Sequence, residues 1–258
     1  MVYIIIIQAR MGSTRLPGKV MKKLLDKEIV LWSYDRCLKT KVDDVFIATS
    51  INTDNDVLEK LFIENKIKYY RGSEMDLLDR YYQISNKYYF DNSDKLKCKK
   101  SLKIIRITSD CPFVDNEIIN SMIDFYEVNK FNYIINHNKD AITPEGSCVE
   151  IIDFNALEYL WSNEYNMEFR EHATGLLSVI TKYNDVIKIG RYSYLPSKEV
   201  IDYNIMKNIK VSIDTIEDYE QAQCIVNHFK NYNFNYLDIL CFLQSKYKTK
   251  LNINTNTK

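Results

Sequence analysis

No charge of either sign is in excess in this chain: Lys plus Arg and Asp plus Glu both number 35 among 258 residues. A global basic field that would recruit nucleic acid is therefore excluded, and any anion site must be local. The six cysteines, Cys37, Cys98, Cys111, Cys148, Cys224 and Cys241, show no C-x-x-C spacing. Neither a disulfide frame nor a zinc site is indicated, and with no secretory leader ahead of them they read as free thiols of a reducing, cytoplasmic setting. No apolar run approaches the roughly 20 residues that span a bilayer, so no membrane insertion is expected. There is no internal repeat. A chain of this length buries a full core, and one α/β domain over 1–258 with a small elaboration is expected rather than two equal halves.

Glycine is scarce too, yet two of the six fall within ten residues of each other, in a loop that also holds Arg10, Ser13, Arg15 and Lys19. Before this loop Tyr3–Ile7 is an almost unbroken β-branched run, the pattern of a central strand buried on both faces of a parallel sheet. Glycine lets backbone N–H groups turn toward an anion, and Arg and Lys add charge-assisted hydrogen bonds to its oxygens. A solvated surface turn is the alternative, but a loop leaving the carboxyl end of such a strand sits where open α/β sheets bind ligands. Two better-known phosphate loops fail here. Gly12 to Gly18 encloses one residue too many for a P-loop, Val20 stands where its magnesium-binding hydroxyl belongs, and G-x-G-x-x-G is absent.

Periodicity predicts strands near 3–7, 44–49, 68–70, 103–107 and 131–136, alternating with helices near 30–39, 54–64, 76–89 and from Asp115, hence a parallel sheet with crossover helices. A lysine-rich insertion from Asp91 to Lys100 reads as an exposed loop. From Ala141 the alternation breaks, with a Pro144-Glu-Gly146 turn, an extended 148–152 run and helices near 155–161 and 169–182. Strands near 186–191 and 210–213 then return toward the sheet before helices near 216–229 and 236–247, and 252–258 reads as a frayed end.

Asp110 and Asp214 each fall just beyond an apolar strand, so both carboxylates can meet at the sheet's carboxyl edge beside the first loop. Magnesium takes hard oxygen ligands, commonly one or two carboxylates plus substrate phosphates. For either aspartate alone, capping of the following helix is the competing account. Arg170, Glu171 and His172 form a charged triplet opening a helix, which suits a hydroxylated or carboxylated sugar or else a helix end and a surface ion pair; Glu150 is a further candidate. Arg71 after a short strand contacts a nucleotide or is a surface cation. The helical spacing of Tyr81, Tyr82, Tyr88 and Tyr89 marks packing rather than a stacking platform, and His137 and His228 read as structural.

Gln8-Ala-Arg-Met-Gly-Ser-Thr-Arg-Leu-Pro-Gly-Lys19 resembles the signature loop of the sugar cytidylyltransferases, the family of CMP-sialic acid and CMP-KDO synthetases, and more closely its branch named after the spore coat polysaccharide biosynthesis protein SpsF. The likeness recurs at 72–82, 108–115, 170–174 and 212–219, in family order. It implies a Rossmann-like nucleotide-diphospho-sugar transferase fold, a mostly parallel sheet with helices on both faces and a small inserted subregion, 141–182, for acceptor binding and dimerisation. It implies attack of a sugar or sugar-acid hydroxyl on the α-phosphorus of CTP, with Mg2+ held by Asp110 and Asp214 of the D-x-P and D-T-x-E-D motifs. Arg10, Arg15 and Lys19 would be catalytic, and Gln8, Ala9, Gly12, Ser13, Arg71 and Ser109 would join them at the nucleotide. Ser109 replaces a Gln of the KDO-type relatives. Asp79 and Arg80 match a family block, although an internal salt bridge accounts for them as well. A homodimer is implied by the same likeness, whereas a glycosyltransferase, disfavoured by the lack of a D-x-D motif around either aspartate, and a non-catalytic nucleotide sensor are the competing functions.

Overall fold

A computed structural model describes residues 1–136, 144–171, 180–194, 202 and 209–255. At its centre the β-branched run forms strand β1 (Val2–Gln8), with Ile4 to Ile7 all fully buried. Successive side chains of a strand point to opposite faces. Tyr3, Ile5 and Ile7 accordingly enter one apolar layer and Ile4 and Ile6 the other.

The remaining strands are β2 (Lys23–Leu24), β3 (Lys27–Glu28), β4 (Asp44–Ser50), β5 (Lys68–Gly72), β6 (Leu102–Thr108), β7 (Tyr133–Ile135), β8 (Glu150–Asp153) and β9 (Ile189–Arg191). β2 and β3 form a separate two-stranded ribbon, and the others a seven-stranded sheet in the order β5-β4-β1-β6-β8-β7-β9. β1 runs parallel to β4 and β6, β4 to β5 and β7 to β9, while β8 is antiparallel to both its neighbours. Gln8 and Thr108 are register partners at the carboxyl ends of β1 and β6. The two following loops therefore leave the sheet side by side, joined by the Ser109 N–H donating to the Gln8 carbonyl at 3.0 Å.

In chain order the helices are α1 (Ile29–Cys37), α2 (Asp56–Glu64), α3 (Leu77–Asp91), α4 (Asn116–Val128), α5 (Phe154–Asn163), α6 (Met167–Glu171), α7 (Ile216–Phe229) and α8 (Tyr236–Thr255). Trp32, Phe62, Met122, Ile225 and Leu240 bring α1, α2, α4, α7 and α8 onto one face of the sheet. Leu78, Tyr81, Leu157 and Leu160 bring α3 and α5 onto the other. Asp76, Asp115 and Asp153 cap α3, α4 and α5 by accepting backbone N–H groups, and Thr215 and Asp218 form a capping box on α7. Each such cap is worth about 1 kcal/mol.

Four segments depart from their sequence reading or add to it. Residues 210–213 join no sheet strand: Lys210 makes an isolated bridge to Glu145, and the Ile213 N–H donates to the Asp110 carbonyl at 2.8 Å. The apolar pattern there reflects burial of Val211 and Ile213 in the first layer, which needs no ladder. The Asp91–Lys100 stretch is partly anchored, because Leu96 is buried in the second layer and Lys99 pairs with Glu158 of α5 at 2.6 Å. α8 runs on to Thr255 with no Gly or Pro to stop it, so 252–255 are helical where the sequence reads as a frayed end, and 256–258 lie outside the described residues. Finally, of the helix expected over 169–182 only the two ends are described, as α6 and a 3-10 turn at Thr181–Tyr183, and 172–179, with His172, lie outside the described residues; His137 lies outside them as well. The described part of 141–182 is built into the core, since β8 is an inner strand and α5 packs on the second layer.

Candidate active site

The first loop is held from beneath by backbone hydrogen bonds. The Ala9 N–H donates to the Ala48 carbonyl at 3.0 Å and the Met11 N–H to Asn55 Oδ1 at 2.9 Å, which ties both turns of the loop to β4 and the start of α2. Ser13 Oγ accepts from the Leu16 N–H at 3.3 Å. Gly18, at φ 65°, then reverses the chain in the left-handed region that glycine enters without strain. This reversal buries Val20 in the core and throws Lys19 the other way, across the carboxyl edge of the sheet.

There Lys19 Nζ lies 2.7 Å from Asp110 Oδ2, 3.0 Å from Asp214 Oδ1 and 2.8 Å from the Ile213 carbonyl. Arg15 Nη2 reaches the same Asp214 Oδ1 at 2.9 Å, and Lys210 Nζ holds the other oxygen, Oδ2, at 3.0 Å. Burial works against charge at Asp214, but Lys19 and Lys210 outweigh it and hold the carboxyl below the usual aspartate value. Burial likewise works against Lys19, and Asp110 with Asp214 more than restores its charge, raising its pKa. Asp110 and Asp214, called from separate motifs, thus converge on one cationic point.

The cleft above this cluster holds about 330 Å³ and extends over the second face of the sheet, where it is lined by Gln8, Leu77, Arg80, Thr108, Ser109 and Glu171. Gly12, Ser13 and Ala9 form its loop wall. Arg10 crosses the mouth, with Nη1 2.9 Å from Glu74 Oε1 and 3.9 Å from Glu171 Oε1. Arg80 is buried, its Nη1 donating to the Ser73 and Glu74 carbonyls. No ion pair joins it to Asp79, which instead accepts from Trp161 Nε1 at 2.8 Å. Gln8 turns its Oε1 toward Arg106, which donates to it at 3.3 Å.

Three other sequence candidates stand outside the cleft. Arg71 is spent on Asp56 and Glu59 of α2 and on the Ser50 and Asn52 carbonyls. Glu150 is fully buried between Arg106, at 2.6 Å, and the Tyr133 hydroxyl, at 2.9 Å. Arg170 is buried, with Nε 2.8 Å from Asp76 Oδ2 and Nη1 donating to the Trp161 and Glu164 carbonyls. It fastens α6 to the start of α3, while its neighbour Glu171 faces the ligand space. The tyrosines pack as read: Tyr81 is buried and Tyr82 stacks on Trp161 at 3.9 Å. His228 stacks on Phe242 at 4.2 Å.

Sequence reasoning missed Glu74 and Lys210 and undervalued Arg80. Arg80 had a signal: it shares the buried stripe of α3 with Leu77, Tyr81 and Ile84, where a cation is out of place unless something calls for it. Among the described residues no group of three or more His, Cys, Asp or Glu side chains gathers to cage a metal. Two converging carboxylates with an open cleft beside them instead suit a hard divalent ion that takes its other ligands from substrate phosphates.

The cytidylyltransferase family profile matches residues 4–235. The α/β sheet with a cation-rich loop and paired carboxylates at its carboxyl edge is thus that of a nucleotidyltransferase, and the chain belongs to the cytidylyltransferase family. It is 33% identical over 254 residues to an uncharacterized protein of Methanocaldococcus jannaschii, covering 98% of this chain and 94% of that one. With the spore coat polysaccharide biosynthesis protein SpsF of Bacillus subtilis it shares 31% identity over 234 residues, 85% and 84% of the two chains. The structure of a cytidylyltransferase from Leptospira borgpetersenii superposes with a TM-score of 0.80 at 27% identity over 96% of each chain. No helix among the described residues is long and apolar enough to cross a membrane.

Proposed function

We propose that the chain transfers CMP from CTP to a hydroxyl of a sugar or sugar acid, releasing pyrophosphate, for surface polysaccharide or glycan assembly. The observation that carries this reading is the meeting of Lys19 and Arg15 with Asp110 and Asp214 beside the β1 loop. The similarity to SpsF, whose name places it in spore coat polysaccharide biosynthesis, supports the sugar acceptor.

In this reading Arg10, Gly12, Ser13, Arg15 and Lys19 cradle the triphosphate, with Gln8, Ala9 and Ser109 beside the nucleotide. Asp110 and Asp214 would hold a divalent cation, Mg2+, which when bound withdraws charge from the phosphate oxygens it touches. The acceptor hydroxyl gives up its proton to water as its oxygen bonds to the α-phosphorus and the bond from that phosphorus to the pyrophosphate oxygen breaks. Charge grows on the departing pyrophosphate, so cations fixed around it stabilise the transition state more than the ground state. The loop's backbone ties orient the phosphates for in-line attack. Glu171 is placed to receive acceptor hydroxyls, with 1–258 acting as one cytoplasmic nucleotidyltransferase domain whose 141–182 segment contributes acceptor and homodimer contacts.

Pyrophosphate release tests the reading, measured with CTP and each other nucleoside triphosphate against a panel of sugars and sugar acids, with Mg2+ or with chelator. Release that needs CTP, one acceptor and metal supports it. A folded protein that binds no CTP in the presence of Mg2+ refutes it.

A further inference from the structure

The two oxygens of Asp214 are held by two lysines from different parts of the chain, and the two attachments differ in kind. Lys19, on Oδ1, belongs to the phosphate loop and faces the cleft. Lys210, on Oδ2, lies outside the cleft lining and is tied down three ways: 3.0 Å from Asp214, 2.6 Å from Asp218 Oδ2 and 3.7 Å from Glu145 Oε1. The Asp218 carboxylate that holds Lys210 also accepts the backbone N–H groups of Asp214, at 2.9 Å, and Thr215, at 3.0 Å. One ammonium therefore pins the side chain of Asp214 and, through Asp218, its backbone.

The stretch carrying Lys210 is itself fixed. The Val211 N–H donates to the Glu145 carbonyl at 2.6 Å, and Gln221 Nε2 of α7 donates to the Lys210 carbonyl at 2.5 Å. Gly146 packs so closely that a Cβ there would lie 2.2 Å from the Ser212 nitrogen.

We propose that Lys210 is a positioning residue for the nucleotide–metal site: it keeps Asp214 aimed into the cleft when Lys19 and Arg15 leave that carboxylate for phosphate. This rests on the cytidylyltransferase reading above. Without Lys210 the Asp214 and Asp218 carboxylates face each other across the vacated position, and repulsion turns Asp214 away. The consequence is a weaker grip on the divalent ion that accompanies the nucleotide, with the phosphate cradle untouched.

The test is calorimetric and needs no acceptor. CTP binding is titrated over a range of Mg2+ concentrations in wild type, Lys210→Met and Lys210→Arg, with thermal melting as the control for folding. Lys210→Met is expected to raise the Mg2+ concentration for half-maximal CTP binding about tenfold, to reach the wild-type CTP affinity at saturating Mg2+, and to be rescued to within about threefold by Lys210→Arg. Should Lys210→Met fail to fold, Lys210→Gln, which keeps a donor without the charge, serves in its place. An unchanged Mg2+ midpoint in a folded variant overturns the proposal and leaves the cytidylyltransferase reading standing. Absence of CTP binding by wild type overturns that reading, and this inference with it.

Discussion

Lys19 Nζ sits 2.7 Å from Asp110 Oδ2 with its side chain only 12% exposed, so the cation of the phosphate loop is parked on a candidate metal ligand. On the proposed function, triphosphate entry exchanges this partner for phosphate. The metal and the loop lysine would then share the same carboxylates at different stages.

Asp110→Asn and Asp214→Asn should each lower turnover roughly a hundredfold or more, since each removes charge aimed at the reacting phosphates' metal. Pyrophosphate release gives the rate, and a retained cooperative melt shows that the fold has survived. Near-wild-type turnover in either variant would remove that aspartate from the site.

Lys19→Ala should weaken CTP binding more than Arg15→Ala. A hydrogen bond to a charged group is worth about 1.5–3 kcal/mol, or roughly 10- to 150-fold. Lys19 is largely shielded from water, whereas Arg15 is 65% exposed and its contact is correspondingly screened. Calorimetry with Mg2+ and CTP ranks the two, and equal losses would contradict the geometry.

Adjacent residues of α6 should fail in different ways. Arg170→Ala leaves Asp76 Oδ2 and the Trp161 and Glu164 carbonyls without their guanidinium, so it should cost about 2–4 kcal/mol of stability, seen as a lower urea midpoint at unchanged slope. Glu171→Gln should leave the midpoint in place and raise the apparent Michaelis constant for the acceptor, with CTP affinity nearly unchanged. If Arg170→Ala is as stable as wild type, its buried contacts are not what anchors α6.

Cysteine reactivity should follow burial. The exposed Cys98 thiol has its pKa lowered by its hydrogen bond with Ser101, while burial pushes Cys37 and Cys111 up. The thiolate is the reactive form. Iodoacetamide at pH 8, read by mass spectrometry, should label Cys98 first and reach Cys37 and Cys111 only on unfolding.

Much of this site was legible because its signals are local. The β-branched run before Gln8 declares a central strand, and the loop after it carries its cations and glycines within one short stretch. Asp110 and Asp214 follow apolar segments that point to the same edge of the sheet, although 210–213 arrives there without becoming a strand. Arg71, Glu150 and Arg170 lie outside the cleft lining, and one physical reason kept that from view. A charged side chain reads the same in sequence whether it faces a ligand or a carboxylate or guanidinium that the fold brings from afar. Arg170 meets Asp76, and Glu150 meets Arg106, only once the sheet and helices have assembled. Lys210 was passed over although Asp214 and Asp218 follow it within eight residues, because only the fold, through the packing of Gly146 on Ser212, adds Glu145 and shows the three carboxylates meeting on one ammonium.

The Glu150–Arg106 pair also bears on how the sheet chooses its alignment. Every residue of β8 is buried, so no contrast between wet and dry faces distinguishes one register from the next. Glu150 stands directly opposite Arg106 in the observed pairing. A slip by one residue would set that carboxylate against Ile105 or Ile107 and leave two buried charges apart, at a cost of several kcal/mol. Hydrophobicity draws the antiparallel strand into the sheet, and opposed charges, Glu150 with Arg106 and at the other end Asp153 with Lys103, act as the pins that tell it where to stop.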